Sequence, residues 1–235
     1  MKILRVGTGC MVAATITAAL LTVPPPAAAE SYLNIKAGGY IPTGTAKFED
    51  QGTGIRLSGG GDMDMDAGFN GEVEYGYNFL TGPTILAIDI GLGYFHTSGD
   101  KAGILTLGGQ STSYSLSSDV DVVPISLGLV GGIHSGPWRV YGGAGLDVLF
   151  CSADADLSAR NMGSRHYSSA SDTVWGGHVK AGLSYDLTDH VFVGAEAKYL
   201  FTGNADFKWT GAAGTDRASA DFSGFMVNGL VGFRW

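Results

Sequence analysis

Asp62, Asp64 and Asp66 take every second position in GGGDMDMDAGFNGEVEYGYNF (59–79), a spacing at which three carboxylates could open a calcium loop. Counted from Asp62, an EF-hand needs glycine at its sixth place and glutamate at its twelfth. Ala67 and Val73 stand there, so the match fails and weak divalent-cation binding is the most this row offers. Asp119 with Asp121, and Asp154 with Asp156, repeat the alternation. Nucleophilic catalysis asks for a hydroxyl, an imidazole and an acid in contact. His96 has Ser98 and Asp100 close in sequence, and His166 has Ser164, Ser168 and Ser169. Segments this rich in serine supply such neighbours without a site, and spacing alone cannot show the geometry. No catalytic residue and no cofactor is therefore assigned.

A larger set of charges does share a pattern. Lys36, Arg139, Lys180, Lys198 and Arg234, with Glu72, Glu74, Asp89, Asp147 and Glu196, all fall on one parity of alternating segments, as does His178. The other parity is apolar. In SYLNIKAGGYI it holds Leu33, Ile35, Ala37 and Ile41; in 85–95 it holds Leu86, Ile88, Ile90, Leu92 and Tyr94. The same alternation recurs over 69–79, 122–133, 138–150, 173–185, 191–201 and 225–235. A period of two marks a strand with two unlike faces.

These segments are longer than the five or six residues usual in soluble strands. They match the ~9–11 residues of a tilted transmembrane strand. Aromatics gather near their ends, as at the two lipid–water interfaces. TGPT (81–84), HSGPW (134–138) and DLTDH (186–190) read as tight turns. The connections at about 42–66, 97–119, 152–172 and 202–221 are long and rich in Gly, Ser, Thr, Ala and Asp. The expected fold is all-β: a transmembrane eight-stranded antiparallel up-and-down β-barrel, with four long extracellular loops and three short periplasmic turns. A soluble barrel with an apolar interior is the rival. Long strands, glycine crowding on the non-apolar parity and an aromatic last residue in phase with the apolar face favour the membrane.

MKILRVGTGCMVAATITAALLTVPPPAAAE has a basic start, an apolar run and a small-residue cleavage pattern. Residues 1–29 are expected to be a cleaved signal peptide, and residues 30–235 the barrel. Removing Lys2 and Arg5 makes the formal charge of −8 more negative still, so no basic nucleic-acid surface is expected. Cys151 would be the one remaining cysteine, without an intrachain partner.

If the polar parity lines the lumen, five cations face five carboxylates in a space that eight strands leave just wide enough for side chains. Unpaired ions there are costly, so a paired network that plugs the barrel is expected, with Glu196 and Lys198 as one local pair. Phe95, Leu149, Phe192, Leu200 and Met226 are expected to point inward as well, mostly in the outer half.

WRVYGGAGLDVLF, WGGHVKAGLSYDLTDHVFVGAEAKYLF and MVNGLVGFRW resemble small bacterial outer-membrane β-barrels: the OmpA transmembrane domain and its OmpW-like and OmpX-like relatives. Val227, Val231, Phe233 and Trp235 on alternate positions look like the insertion signal read by the barrel-assembly machinery, with Gly229 where a larger apolar residue is usual. The resemblance implies export to the bacterial outer membrane, contact with lipid and lipopolysaccharide, and a monomer. It implies a structural, loop-presenting role, or OmpW-like passage of small hydrophobic molecules. A lipid-modifying enzyme, with a histidine, a serine and an acid near the outer rim, is the remaining implication. Fold alone does not choose among them.

Overall fold

The computed structural model describes residues 30–50, 56–57, 62–80, 83–107, 110–159, 163–211 and 214–235. The expected leader over 1–29 lies outside the described residues. In chain order the strands are β1 (Glu30–Pro42), β2 (Thr45–Asp50), β3 (Arg56–Leu57), β4 (Asp62–Asp64), β5 (Gly68–Asn78), β6 (Thr84–Leu107) and β7 (Gln110–Ser135). They continue as β8 (Trp138–Ala159), β9 (Gly163–Asp186), β10 (Val191–Thr202), β11 (Asn204–Gly211), β12 (Gly214–Asp221) and β13 (Gly224–Arg234).

Eight of them form the antiparallel ring β6-β5-β1-β13-β10-β9-β8-β7, closed where β6 pairs β7. Closure removes every free edge, which a lipid-embedded sheet requires. The apolar parity faces out: Ile35, Leu86, Leu127, Leu146, Val179, Val227 and Phe233 are exposed large apolar side chains. Water would penalise that surface, whereas hydrocarbon does not. The β7–β8 turn places Gly136 at φ 60°, in the left-handed region that favours glycine. Inward aromatic rings lie over cross-strand glycines. Tyr141 covers Gly182, where an added Cβ would come within 2.3 Å of the ring, and Tyr32 covers Gly76 in the same way.

The long connections differ from expectation. β6, β7, β8 and β9 run for 24, 26, 22 and 24 residues, about twice a membrane crossing. Most of 97–119 and 152–172 is therefore strand rather than loop. Beside them a second sheet, in the order β11-β12-β2-β4, continues the wall above the four shorter barrel strands. It is tied to the long strands at both sides. The Asp206 N–H donates to Asp172 Oδ2 of β9 (2.7 Å). The Asp66 N–H donates to the Ser98 carbonyl of β6 (2.7 Å). Where β10 gives way to β11 and β12 to β13, side chains replace the interrupted ladder: Thr202 Oγ1 and Ser223 Oγ both donate to Asp221 Oδ1 (2.9 and 2.6 Å).

Polarity inverts along these strands. On β7, Ser113, Ser115, Asp119 and Asp121 point outward, then Val123, Leu127 and Leu129. Over the same stretch the inward series changes from Tyr114, Leu116, Val120 and Val122 to Ser126. The lower half has an apolar exterior and polar interior, and the upper half is the reverse, as in a barrel surrounded by water.

Candidate functional site: the interior of the barrel

The lower interior is a web of buried charges. Lys36 Nζ on β1 lies 3.0 Å from Glu72 and 2.8 Å from both Glu74 and Glu196. Lys180 Nζ on β9 lies 2.5 Å from Glu74, 2.6 Å from Asp89 and 4.0 Å from Glu196. Lys198 pairs with Glu72 across the lumen. The expected local pair of Glu196 with Lys198 does not form: Glu196 turns to Lys36 and accepts from the Tyr141 hydroxyl (3.1 Å). The geometric reason is that the barrel brings facing walls within reach, so ions on one strand are not confined to same-strand partners.

A separate group joins β7, β8 and β9. Ser126 Oγ donates to Asp147 Oδ1 (2.5 Å), and His178 Nδ1 lies 2.8 Å from Asp147 Oδ2. Serine and histidine share the carboxylate instead of touching each other, which is the wrong order for activating a nucleophile. Arg139 and Arg234 are not in the deep web. At the end carrying the short turns, Arg139 binds Glu30 (3.3 Å), and Arg234 binds Asp186 (3.1 Å) and stacks 4.7 Å above the Phe192 ring. Glu30 and Asp186 are the partners that sequence reasoning missed. Glu30 opens β1 and Asp186 closes β9, both just outside the alternating rows. A cavity of about 50 Å³ separates this rim from the web, lined by Tyr32, Asn34, Glu74, Tyr141, Lys180 and Ser184 among others.

Above the web the interior turns apolar. Tyr40, Phe95, Val122, Leu149, Val174, Leu200 and Met226 pack into one buried cluster. Phe95, Leu149, Leu200 and Met226 thus point inward in the outer half, and Phe192 points inward at the opposite rim. Higher still, Met63, Met65, Leu116, Val120, Ala153, Ala155, Phe207 and Ala220 line a smaller cavity of about 30 Å³. Cys151 belongs to this region, just past the lipid-facing stretch of β8. Burial, with the nearby Asp172 charge, pushes its thiol up to about 12.

The acidic row that suggested calcium is placed differently from expectation. The parity of 69–79, carried back through this row as an unbroken strand, predicts Met63 and Met65 on the lipid side and the aspartates on the lumen side. Instead β4 pairs with β2, setting Asp62 opposite Lys47 and Asp64 opposite Thr45, and strand structure lapses over 65–67. Met63 is buried, and Asp64 and Asp66 are exposed. The exterior here is water, so the methionines turn inward and the carboxylates outward. The Asp62 side chain lies outside the described residues, and among those described no three His, Cys, Asp or Glu side chains could hold a metal ion.

His96 projects outward, 3.0 Å from Asp121 Oδ1, which also accepts from the Tyr94 hydroxyl (2.6 Å). The side chains of Ser164, His166, Ser168 and Ser169 lie outside the described residues. Val227, Val231, Phe233 and Trp235 all face outward on β13 and its end.

A family model described as the outer membrane protein beta-barrel domain matches residues 13–229. No curated protein matches the chain. Among solved structures, the outer membrane protein OprG from Pseudomonas aeruginosa aligns with a TM-score of 0.59 at 13% identity, over 88% of this chain and 96% of that one. A major outer membrane protein from Thermus thermophilus aligns at 0.58 and 14%, over 88% and 100%. The outer membrane protease OmpT from Escherichia coli aligns at 0.53 and 10%, over 91% and 99%. At such identities these likenesses show the fold and nothing of activity.

Proposed function

Because the chain belongs to the outer membrane protein β-barrel family and is integral to the bacterial outer membrane, we propose that it is a closed, structural barrel holding a tall outer wall above the lipid. The filled lumen carries this reading. Lys36, Glu72, Glu74, Asp89, Lys180, Glu196 and Lys198 bridge it from β1, β5, β6, β9 and β10. An open pore would leave such charges facing a water column instead of one another. The test is planar-bilayer recording on the refolded full chain, with silence expected. A steady, ion-selective current would overturn the proposal.

The same reading makes the protein non-enzymatic and monomeric. Its partners are membrane lipid, lipopolysaccharide at the outer rim and, during insertion, the barrel-assembly machinery, which reads Val227, Val231, Phe233 and Trp235. A second reading, passage of small hydrophobic molecules, is favoured by one observation: the apolar chamber above the ion pairs. Saturable binding of a fluorescent fatty-acid probe, competed by unlabelled ligand, supports it, and absence of binding removes it.

A further inference from the structure

We infer that the barrier to water and ions inside the barrel is the apolar layer in its outer half, and that the ion-pair web beneath it is buried among internal waters. The inference rests on the closed-barrel reading and names the part that closes it.

Seven of the eight ring strands contribute to the layer: Tyr40 from β1, Phe95 from β6, Val122 from β7, Leu149 from β8, Val174 from β9, Leu200 from β10 and Met226 from β13. None is more than 5% exposed. The rings of Tyr40 and Phe95 lie 4.4 Å apart, and the one polar side-chain atom among these seven, the Tyr40 hydroxyl, is spent on the Phe222 carbonyl (2.8 Å). An apolar constriction of this kind excludes ions by refusing to wet.

The web below has the opposite character. The cavity beneath Lys180 and Glu74 is roomy enough for several waters, and Asn34, Arg139, Ser184 and Arg234 join those two in offering polar partners among its apolar walls. Asn34 Oδ1, Asn70 Nδ2, His178 Nε2 and both amide atoms of Asn228 are buried without a protein partner, and such groups are ordinarily met by water. Asn34 and Asn228 lie on the web's side of Tyr40 along β1 and β13, while Asn70 and His178 stand at the layer's lower margin, paired across strands with Phe95 and Leu200. Above the layer, the Tyr114 hydroxyl is the one such atom among the described residues, and the cavity there is lined mostly by apolar side chains, with Lys47, Thr97, Ser98 and Ser118 beside them. Internal water therefore belongs to the web and its margin, and the layer built on Tyr40 and Phe95 is where it ends.

Two measurements test this. In bilayer recordings of the refolded chain, Phe95→Ser combined with Leu149→Ser should pass a steady current, whereas Asp89→Asn combined with Lys180→Gln should stay silent. A current from the second variant, or silence from the first once it is folded, overturns the inference. A current from the wild type instead overturns the closed-barrel reading itself. The wild type also gives an answer that needs no variant. Water-to-protein magnetisation transfer in detergent-solubilised protein should reach the Asn34 and Asn228 amides but not the methyls of Leu149, Leu200 and Met226. Transfer to those methyls would place water in the layer and overturn the assignment.

Discussion

Replacing Lys36 by methionine removes the cation on which the deep web converges. Its Nζ lies within 3.0 Å of three carboxylates, and its side chain has no exposure. Each contact at that range is worth roughly 5–6 kcal/mol at an effective dielectric near 20. Most of that attraction only offsets the cost of removing four ions from water. What a mutation reads is the penalty for stranding what remains, about 3–5 kcal/mol for a buried pair that loses one partner. Glu74 keeps Lys180 at 2.5 Å, and Glu72 keeps Lys198. Glu196 is left with the Tyr141 hydroxyl at 3.1 Å and Lys180 at 4.0 Å, so it should carry most of the loss. Lys36→Met is therefore expected to cost about 3–5 kcal/mol, and adding Glu196→Gln should recover at least ~1 kcal/mol of it. Lys198→Met should cost less, because Lys198 holds Glu72 alone. Urea unfolding of the barrel refolded in lipid vesicles, followed by tryptophan fluorescence, reads each value. A loss below ~1 kcal/mol for Lys36→Met, the range of an exposed ion pair, would refute the reasoning.

Gly182→Ala should lower the yield of heat-modifiable folded barrel on gels, since its Cβ would collide with Tyr141; Gly229→Val should not, because a Cβ there meets nothing within 4 Å. Thr97→Val removes the hydroxyl that donates to the Asp66 carbonyl (2.7 Å), so hydrogen exchange over 62–67 should quicken while exchange in β5 stays unchanged. At pH 8 the Cys151 thiol stays protonated and buried, so a charged thiol reagent should label it only after unfolding. Calcium titration should give equal responses from wild type and from Asp62→Asn, Asp64→Asn, Asp66→Asn combined, because Asp64 and Asp66 point out to solvent on either side of Met65 and no metal-holding group of acids forms among the described residues.

The barrel was legible because lipid imposes one rule on every strand, and the rule is local. Ile35, Leu127 and Val179 announce their face without reference to a partner. The ion pairs were legible only as a set. Which residues line the lumen follows from parity, but Lys198 meets Glu72 rather than Glu196 because the far wall is as near as the next residue on the same face. The outer wall was hidden for another reason. Tyr114, Leu116, Val120 and Val122 alternate as regularly as the membrane strands, but their meaning is inverted, and a pattern sought with apolar side chains outward passes over them.

That inversion also locates the lipid boundary. His96 faces Asp121 across β6 and β7, Asp121 faces Ser152 across β7 and β8, and Ser152 faces Ser171 across β8 and β9. All four project to the polar outer side. In the adjoining positions Val123 faces Phe150, and Tyr94 precedes His96 by two residues on the same face of β6. The exterior changes from aromatic and aliphatic to Ser, Thr, Asp and His within one or two pairs of this register on β6, β7, β8 and β9, with Thr173 facing Phe150 and Trp175 facing Val148, and so close an agreement between tilted neighbours marks a shared interface rather than independent strand ends. The interior changes near the same height, from Asp147 to Leu149 on β8 and from Ser126 to Val122 on β7. Lipid fixes the outer face at that level, and the inner face follows because a wall with water outside must take its apolar side chains inward to have a core at all. The apolar layer that seals the barrel thus lies where the surroundings of the wall change from hydrocarbon to water.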